Sequence, residues 1–189
     1  MARKELEKLY SIVTSLKNTD RQGWTVRGLR REPISSHIFG AQSIWFYLAT
    51  EEGVNADRVI QLLLVHDYIM SQIEDVTPLG DKYQQKRLME ENAKNAVAQK
   101  VPVKLRHTYT DLFNEFNAVE TPEAQVAREA DKLDTLMQAE VLEIESNHYD
   151  FLGAFLDTYE SIFKTPSGKK AFKEIMERHK LRANKTYKF

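Results

Sequence analysis

The chain has 189 residues, 42% of them apolar and 29% charged, with 7 Gly, 5 Pro and no Cys. That size fits one domain with a sizeable core, and the low Gly and Pro content argues against disorder or a loop-rich sandwich. Lys and Arg number 27 against 28 Asp and Glu, so a net charge of −1 gives no long-range pull toward nucleic acid or an anionic membrane; the missing cysteines exclude disulfides, thiolate zinc sites and cysteine nucleophiles.

The opening MARKELEKLY is charged and lacks the apolar stretch of a signal peptide, and no apolar run approaches the roughly 18 residues of a membrane span, so the expected location is the cytoplasm. Apolar residues recur at helical spacing almost throughout. Leu6, Leu9, Val13 and Leu16 predict a first helix that ends at Asn18-Thr19-Asp20. Residues 19–34, with Gly23, Gly28 and Pro33, have no period and read as loop. Ser35 or Ser36 caps a second helix with Ile38, Ala41, Trp45 and Leu48 inward, stopped by Gly53. A third starts at Asn55 or Asp57 and carries Val59, Leu62, Leu63, His66 and Ile69. After a turn at Thr77-Pro78-Leu79-Gly80, a fourth covers about 81–100, and a fifth restarts after Pro102 with Leu105, Leu112, Phe113 and Phe116. Thr121-Pro122-Glu123 is a strong helix start: a capping Thr, Pro at the first helical position and an acid in the first turn. That sixth helix carries Val126, Ala130, Leu133 and Met137 past Val141; Phe151, Phe155, Tyr159 and Phe163 mark a seventh, and Ser167 opens the last. No run reads as a strand, and no repeat or linker interrupts the chain. The expected fold is all-α, a single globular helical bundle over residues 1–189.

Of the five histidines, only His66 is followed by Asp, and the pair His66-Asp67 ends the most apolar helix of the chain. An imidazole and a carboxylate at a buried helix end suffer desolvation, which a divalent cation relieves by using both. His37 lies just after Ser35-Ser36, and Asp131 sits mid-helix on or beside the buried stripe of Ala130 and Leu133, where Asp is a poor helix former. Two imidazoles and two carboxylates, His37, His66, Asp67 and Asp131, suit a borderline transition metal with open positions for water. His107, His148 and His179 have no partner at metal spacing and read as surface or packing residues.

In that order and spacing the sequence resembles the HD-domain phosphohydrolases, and within them the 5′-deoxynucleotidase branch. The resemblance implies a metal bound by His37, His66, Asp67 and Asp131. Arg21-Gln22-Gly23-Trp24-Thr25-Val26-Arg27 is similar to the family's opening Arg-x-Gly-Trp-x-x-Arg segment, and Glu32-Pro33-Ile34-Ser35-Ser36-His37 to its first ligand segment. Asp75-Val76-Thr77-Pro78 follows the His-Asp pair at the family's spacing, and Thr121-Pro122-Glu123-Ala124 with Ala130-Asp131-Lys132-Leu133 is similar to its last motif. The match covers about 1–145, which places the metal-site core at about 19–145 and leaves C-terminal helices of about 149–183 to pack on it. The resemblance implies hydrolysis of a 2′-deoxynucleotide at the 5′ position by a homodimer, with one divalent ion: Co²⁺, Mn²⁺ or Mg²⁺, with Zn²⁺ or Fe²⁺ as alternatives. Two-metal relatives carry further histidines between the His-Asp pair and the last Asp, where this chain has only His107.

One position departs from the pattern. The family usually has Glu three residues after the His-Asp aspartate, in an acid/base role, and here stands Met70, which carries no proton to give. Glu74, one helical turn further on, or Asp75 beside it can supply a carboxylate through water, so the expected catalytic set is Asp67, Glu74 and Asp75. Asp67 both ligates the metal and orients a water. For phosphate, Arg21 and Arg27 stand in the loop leading into His37, and Lys82 and Lys86 reach a longer polyphosphate. Trp24 is placed either to close over a sugar or base or to plug the core. Without the Glu, anhydride cleavage suffers less than ester cleavage, because a phosphate leaving group needs little protonation. The alternative function is therefore a nucleoside di- or triphosphate hydrolase, and a further one is a non-catalytic nucleotide-binding module.

Overall fold

The computed structural model describes residues 2–73, 86–148 and 151–186. Among them the regular structure is helical: α1 (Ala2–Asn18), α2 (Gln22–Thr25), α3 (Ile34–Glu52), α4 (Ala56–Val65), α5 (Lys86–Lys100), α6 (Arg106–Ala118), α7 (Pro122–Ser146), α8 (Phe151–Tyr159) and α9 (Pro166–Thr186). Short 3₁₀ turns occupy Tyr68–Ser71, Val103–Leu105 and Glu160–Ile162. No helix among the described residues is long and apolar enough to cross a membrane. The all-α expectation holds. By its internal contacts the chain separates into two compact units, Met1–Phe39 with Gln61–Ala118, and Gly40–Ile60 with Val119–Phe189.

In the first unit, α1 packs on the 3₁₀ turn Tyr68–Ser71 and on α5, and α5 packs on that turn and on α6. The buried face of α1 is Ile12 and Leu16, while Leu6 is exposed, so the predicted stripe is right from its middle onward and wrong at its start. Residues 19–34, read as loop, contain the single turn of α2. The ends of this segment are tied together: Arg21 N donates to Glu32 O at 2.9 Å and Ile34 N to Thr19 O at 2.9 Å, with a lone β-bridge between Asp20 and Pro33. Gly28 sits at φ +67, a left-handed conformation that costs glycine little. The start of α3 corrects the sequence reading. Ser35 and Ser36 lie inside its first turn, and Pro33 O accepts from Ser36 N and His37 N as the helix opens.

In the second unit α7 is the longest element, with α8 and α9 packed on it. Its predicted start is correct: Thr121 Oγ1 accepts from Ala124 N at 3.1 Å, with Pro122 at the first helical position. It ends at Asn147, in the left-handed conformation at φ 54. Two buried carboxylates on α7 hold the following segments. Glu129 accepts from Lys164 N, Thr165 N, Thr165 Oγ1 and Gln125 Nε2, and Glu143 accepts from Leu152 N at 2.9 Å while facing His179 Nδ1 at 3.1 Å. The last helix begins at Pro166, one residue before the expected Ser167, and is capped by Thr165, whose Oγ1 accepts from Gly168 N at 3.0 Å. A Cβ at Gly168 would run into the Glu129 carboxylate, which its hydrogen bonds hold in place, while one at Gly40 would push the Asp134 carboxylate aside.

Candidate metal centre

Asn55 begins α4 by accepting from Arg58 N at 3.2 Å through Oδ1. The helix then carries Val59, Leu62 and Leu63 fully buried, as expected, but it ends at Val65. His66 and Asp67 occupy the break between α4 and the 3₁₀ turn, where the sequence reading continues one helix to Ile69. The break matters because it frees the pair from strict helical projection, so the two side chains meet each other. His66 Nε2 lies 3.5 Å from Asp67 Oδ2. His37, in the first turn of α3, brings its Nε2 to 3.7 Å from the same oxygen. The two imidazole centroids are 5.6 Å apart, and the Phe116 ring of α6 stands 4.9 Å from His66 on another side. Both imidazoles are buried and Asp67 is partly open to solvent.

The His66 environment tests whether this group fits a cation. His66 Nδ1 is 2.7 Å from Leu63 O, and a carbonyl only accepts, so Nδ1 carries a proton and Nε2 is the nitrogen left to face the site. That Nε2 is buried without a hydrogen-bond partner and faces a carboxylate oxygen. A buried ring nitrogen and a carboxylate oxygen this close, with no hydrogen bond between them, are satisfied together by a cation bound to both. His37, His66 and Asp67, each offering one ligand atom within 4.8 Å of the others, make a group able to hold a metal ion. Two nitrogens and one oxygen form a donor set for a borderline divalent metal.

Around His37 stands a second layer. Arg21 NH1 lies 3.1 Å from His37 Nδ1 and 3.6 Å from Glu32 Oε2, with its guanidinium carbon 5.3 Å from the centre of the Trp24 ring. Trp24 is buried, and its Nε1 donates to Glu32 Oε2 at 2.5 Å, so the indole holds the 19–34 segment down. Arg27 NH1 donates to Gly23 O at 2.7 Å within the same segment. Glu32 is the residue that sequence reasoning leaves out of the site. Its sequence signal is its place at the head of the segment similar to the family's first ligand motif, but its role depends on long-range closure of the segment.

Asp131, the fourth expected ligand, belongs to the other unit, on α7. It is buried, with Lys132 Nζ at 2.8 Å and Arg128 NH1 at 3.9 Å. Burial pulls the Lys132 ammonium down, but the Asp131 carboxylate and Tyr159 outweigh it and the net direction is upward, so this cation persists beside Asp131. Met70, whose backbone N–H donates to Asp67 O at 2.9 Å, sits in the 3₁₀ turn immediately after the pair. Behind it Tyr68 and Tyr109 stack at 6.3 Å, and burial pushes both phenols up, which makes them packing groups that stay protonated. Glu74, Asp75 and Lys82, and the side chain of Lys86, lie outside the described residues. Of the remaining histidines, His107 is exposed beside Asp111 and His148 is exposed. His179 packs against Glu143.

An all-helical fold in which two buried histidines and an adjacent aspartate converge on one point defines a candidate metal-binding helical domain. The HD-domain family profile matches residues 13–176. Curated relatives include the mouse 5′-deoxynucleotidase HDDC2, 27% identical over 163 residues that span 85% of this chain and 81% of the relative. Another is the fission yeast (Schizosaccharomyces pombe) 5′-deoxynucleotidase hdd1, 29% identical over 132 residues, 67% of this chain and 66% of the relative. Among solved structures, a conserved hypothetical protein from Pyrococcus furiosus superposes with a TM-score of 0.72 at 25% identity, covering 91% of this chain and 97% of its own. A predicted metal-dependent phosphohydrolase from Magnetospirillum magnetotacticum has the same fold, with a TM-score of 0.74 at 22% identity over 97% of this chain and 96% of its own. The chain belongs to the HD-domain family and is a phosphohydrolase of that family.

Proposed function

We propose that this protein is a 5′-deoxynucleotidase, hydrolysing a 2′-deoxynucleoside 5′-monophosphate to the deoxynucleoside and phosphate, and that it works as a cytoplasmic homodimer. The observation that carries the reading is the convergence of His37, His66 and Asp67, with the unpartnered His66 Nε2 turned toward the Asp67 carboxylate. The curated relatives at 26–29% identity carry the name 5′-deoxynucleotidase, which supports the substrate class.

His37, His66 and Asp67 would hold the ion, with Asp131 proposed as the fourth ligand and Co²⁺, Mn²⁺ or Mg²⁺ as the metal. A divalent ion bound there supplies Lewis-acid polarisation of a phosphate oxygen and acidifies a water. The chain's own groups do the rest. Asp67 orients the attacking water. Arg21, Arg27, Lys82 and Lys86 neutralise the phosphoryl oxygens. The water oxygen bonds to phosphorus and gives up a proton to solvent, the bond from phosphorus to the 5′ oxygen breaks, and that oxygen takes a proton from an acid that solvent then recharges. Glu74 or Asp75 is the proposed source of that proton.

A second reading rests on Met70. With no acid in the turn after Asp67, cleavage of a phosphoanhydride loses less than cleavage of an ester, which favours a deoxynucleoside di- or triphosphate. The deciding experiment is phosphate release from ribo- and deoxynucleoside mono-, di- and triphosphates with Mn²⁺, Co²⁺, Mg²⁺ and Zn²⁺ in turn. Monophosphate turnover that exceeds triphosphate turnover and requires the 2′-deoxy sugar supports the first reading. The reverse order supports the second, and no turnover with any metal overturns both.

A further inference from the structure

The two imidazoles of the site present opposite faces of the same chemistry. His66 donates from Nδ1 to Leu63 O, which leaves Nε2 to face the site. His37 has Arg21 NH1 at 3.1 Å from its Nδ1. A guanidinium has donors and no acceptor, so His37 Nδ1 is the acceptor and the proton of the neutral ring is on Nε2, the nitrogen that faces Asp67 Oδ2 at 3.7 Å. A neutral imidazole has one lone pair. Arg21 uses it here, and a metal ligand needs the same one.

We infer that Arg21 and the metal ion compete for His37, so that metal loading releases the Arg21 guanidinium toward the substrate. This rests on the reading of His37, His66 and Asp67 as a metal site. For Nε2 to ligate, its proton leaves to solvent and Nδ1 takes one from solvent, with no net change in charge. The N–H then on Nδ1 confronts the Arg21 N–H, and two donors at 3.1 Å repel. The guanidinium therefore leaves Nδ1, while Glu32 Oε2 at 3.6 Å and the Trp24 ring at 5.3 Å keep it beside the site. Arg21 is then available for a phosphate oxygen only after the metal is in place. The consequence is an order of events: cation first, phosphate second. Glu32 is a positioning residue in this scheme, the tether that keeps Arg21 near while it changes partners.

The test uses the whole chain and Zn²⁺ as a diamagnetic probe. Long-range ¹H–¹⁵N spectra of the histidine rings distinguish the two tautomers, and the His37 signals are assigned by their loss in His37→Gln. In the metal-free protein His37 is expected as the Nε2–H form, converting to Nδ1–H with one equivalent of Zn²⁺. Finding Nδ1–H before metal is added, or Nε2–H retained with Zn²⁺ bound, overturns the inference without needing any variant. A second measurement is the Zn²⁺ dissociation constant. Arg21→Met removes the competitor and is expected to bind about tenfold tighter than wild type, while Arg27→Met, which removes one charge from the same segment, shifts affinity less than about threefold. Equal tightening in both variants, or none in Arg21→Met, refutes the competition while leaving the metal site intact. If Zn²⁺ perturbs neither His37 nor His66, the metal-site reading itself fails.

Discussion

Replacing Asp67 by Asn tests the metal centre without reference to turnover. The carboxylate oxygen lies 3.5 Å from one imidazole nitrogen and 3.7 Å from the other, so it is the common point of the donor group. Asn keeps the shape and one carbonyl oxygen but loses the charge that attracts a dication. A ligand that binds only the folded state stabilises it by RT ln(1 + [L]/Kd), about 2.7 kcal/mol at one hundred times Kd. For a chain of this length that corresponds to a rise in Tm of roughly 5–11 °C, at about 2–4 °C per kcal/mol. If the lost charge weakens binding about 100-fold, the same metal concentration equals the new Kd and the gain falls to about 0.4 kcal/mol, or roughly 1–2 °C. The metal-free variant is expected to melt no lower than the metal-free wild type, because Asp67→Asn removes an anion from in front of the unpartnered His66 Nε2. Thermal melts with Mn²⁺ or Co²⁺, each against a chelator control, measure both quantities. A full metal-induced rise in Asp67→Asn would refute the ligand assignment. A large drop in the chelated melt would show that Asp67 serves the fold and not a cation.

Met70→Glu returns a proton donor to the turn after Asp67 and is expected to raise monophosphate hydrolysis by up to ~100-fold, with triphosphate hydrolysis changing much less; parallel phosphate-release assays on the two substrates check the difference. Glu32→Gln keeps the shape that receives the Trp24 N–H but removes the charge facing Arg21, and is expected to cost about 1–3 kcal/mol in denaturant unfolding, with a shift in tryptophan emission. Glu140 on α7 accepts from Arg178 at 2.8 Å and from Arg182 at 2.5 Å on α9; burial pushes its carboxyl up, but these hydrogen bonds outweigh it and hold the group below its usual range. Its contribution, about 1 kcal/mol after allowing for solvent screening, is present above the usual carboxylate pKa of about 4.3 and is lost as the pH falls through the lowered folded value. Glu140→Gln should therefore lower Tm by a few degrees at pH 7 and flatten that acid-side dependence, as read by thermal melts across pH 2–7.

What the sequence makes legible follows from local rules. Thr121 with Pro122 announces α7 because cap and first-turn chemistry are contained in a few adjacent residues. The His66-Asp67 pair is legible as chemistry because a charged pair ends an unusually apolar run. Where sequence reading fails, the deciding contact is distant. Ser35 and Ser36 look like caps, yet Pro33 is already held in place by the closure of the 19–34 segment, so α3 starts earlier. The last helix starts ahead of Ser167, capped by Thr165, because buried Glu129, 36 residues away in sequence, grips Thr165. The role of Glu32, as distinct from its place in the ligand segment, is hidden for the same reason. Nothing in its neighbours says that Trp24 and Arg21 will both turn to it.

The knotting together of Thr19, Arg21, Glu32 and Ile34 has a consequence for how such a site can change over generations. Because the two ends of the segment are pinned to each other immediately before His37, its tip is mechanically separate from the metal ligands. Thr25, Val26, Gly28, Arg30 and Arg31 at that tip are exposed. Lengthening a closed loop costs little, only about 0.6 kcal/mol for each doubling of its length. The exposed side chains of Val26 and Arg30 can be exchanged, with Arg27 and Gly28 kept, while His37 stays where it is. The tip is thus a changeable rim attached to a fixed hearth, the part of the molecule through which a related enzyme can acquire a different substrate without rebuilding the chemistry beneath it.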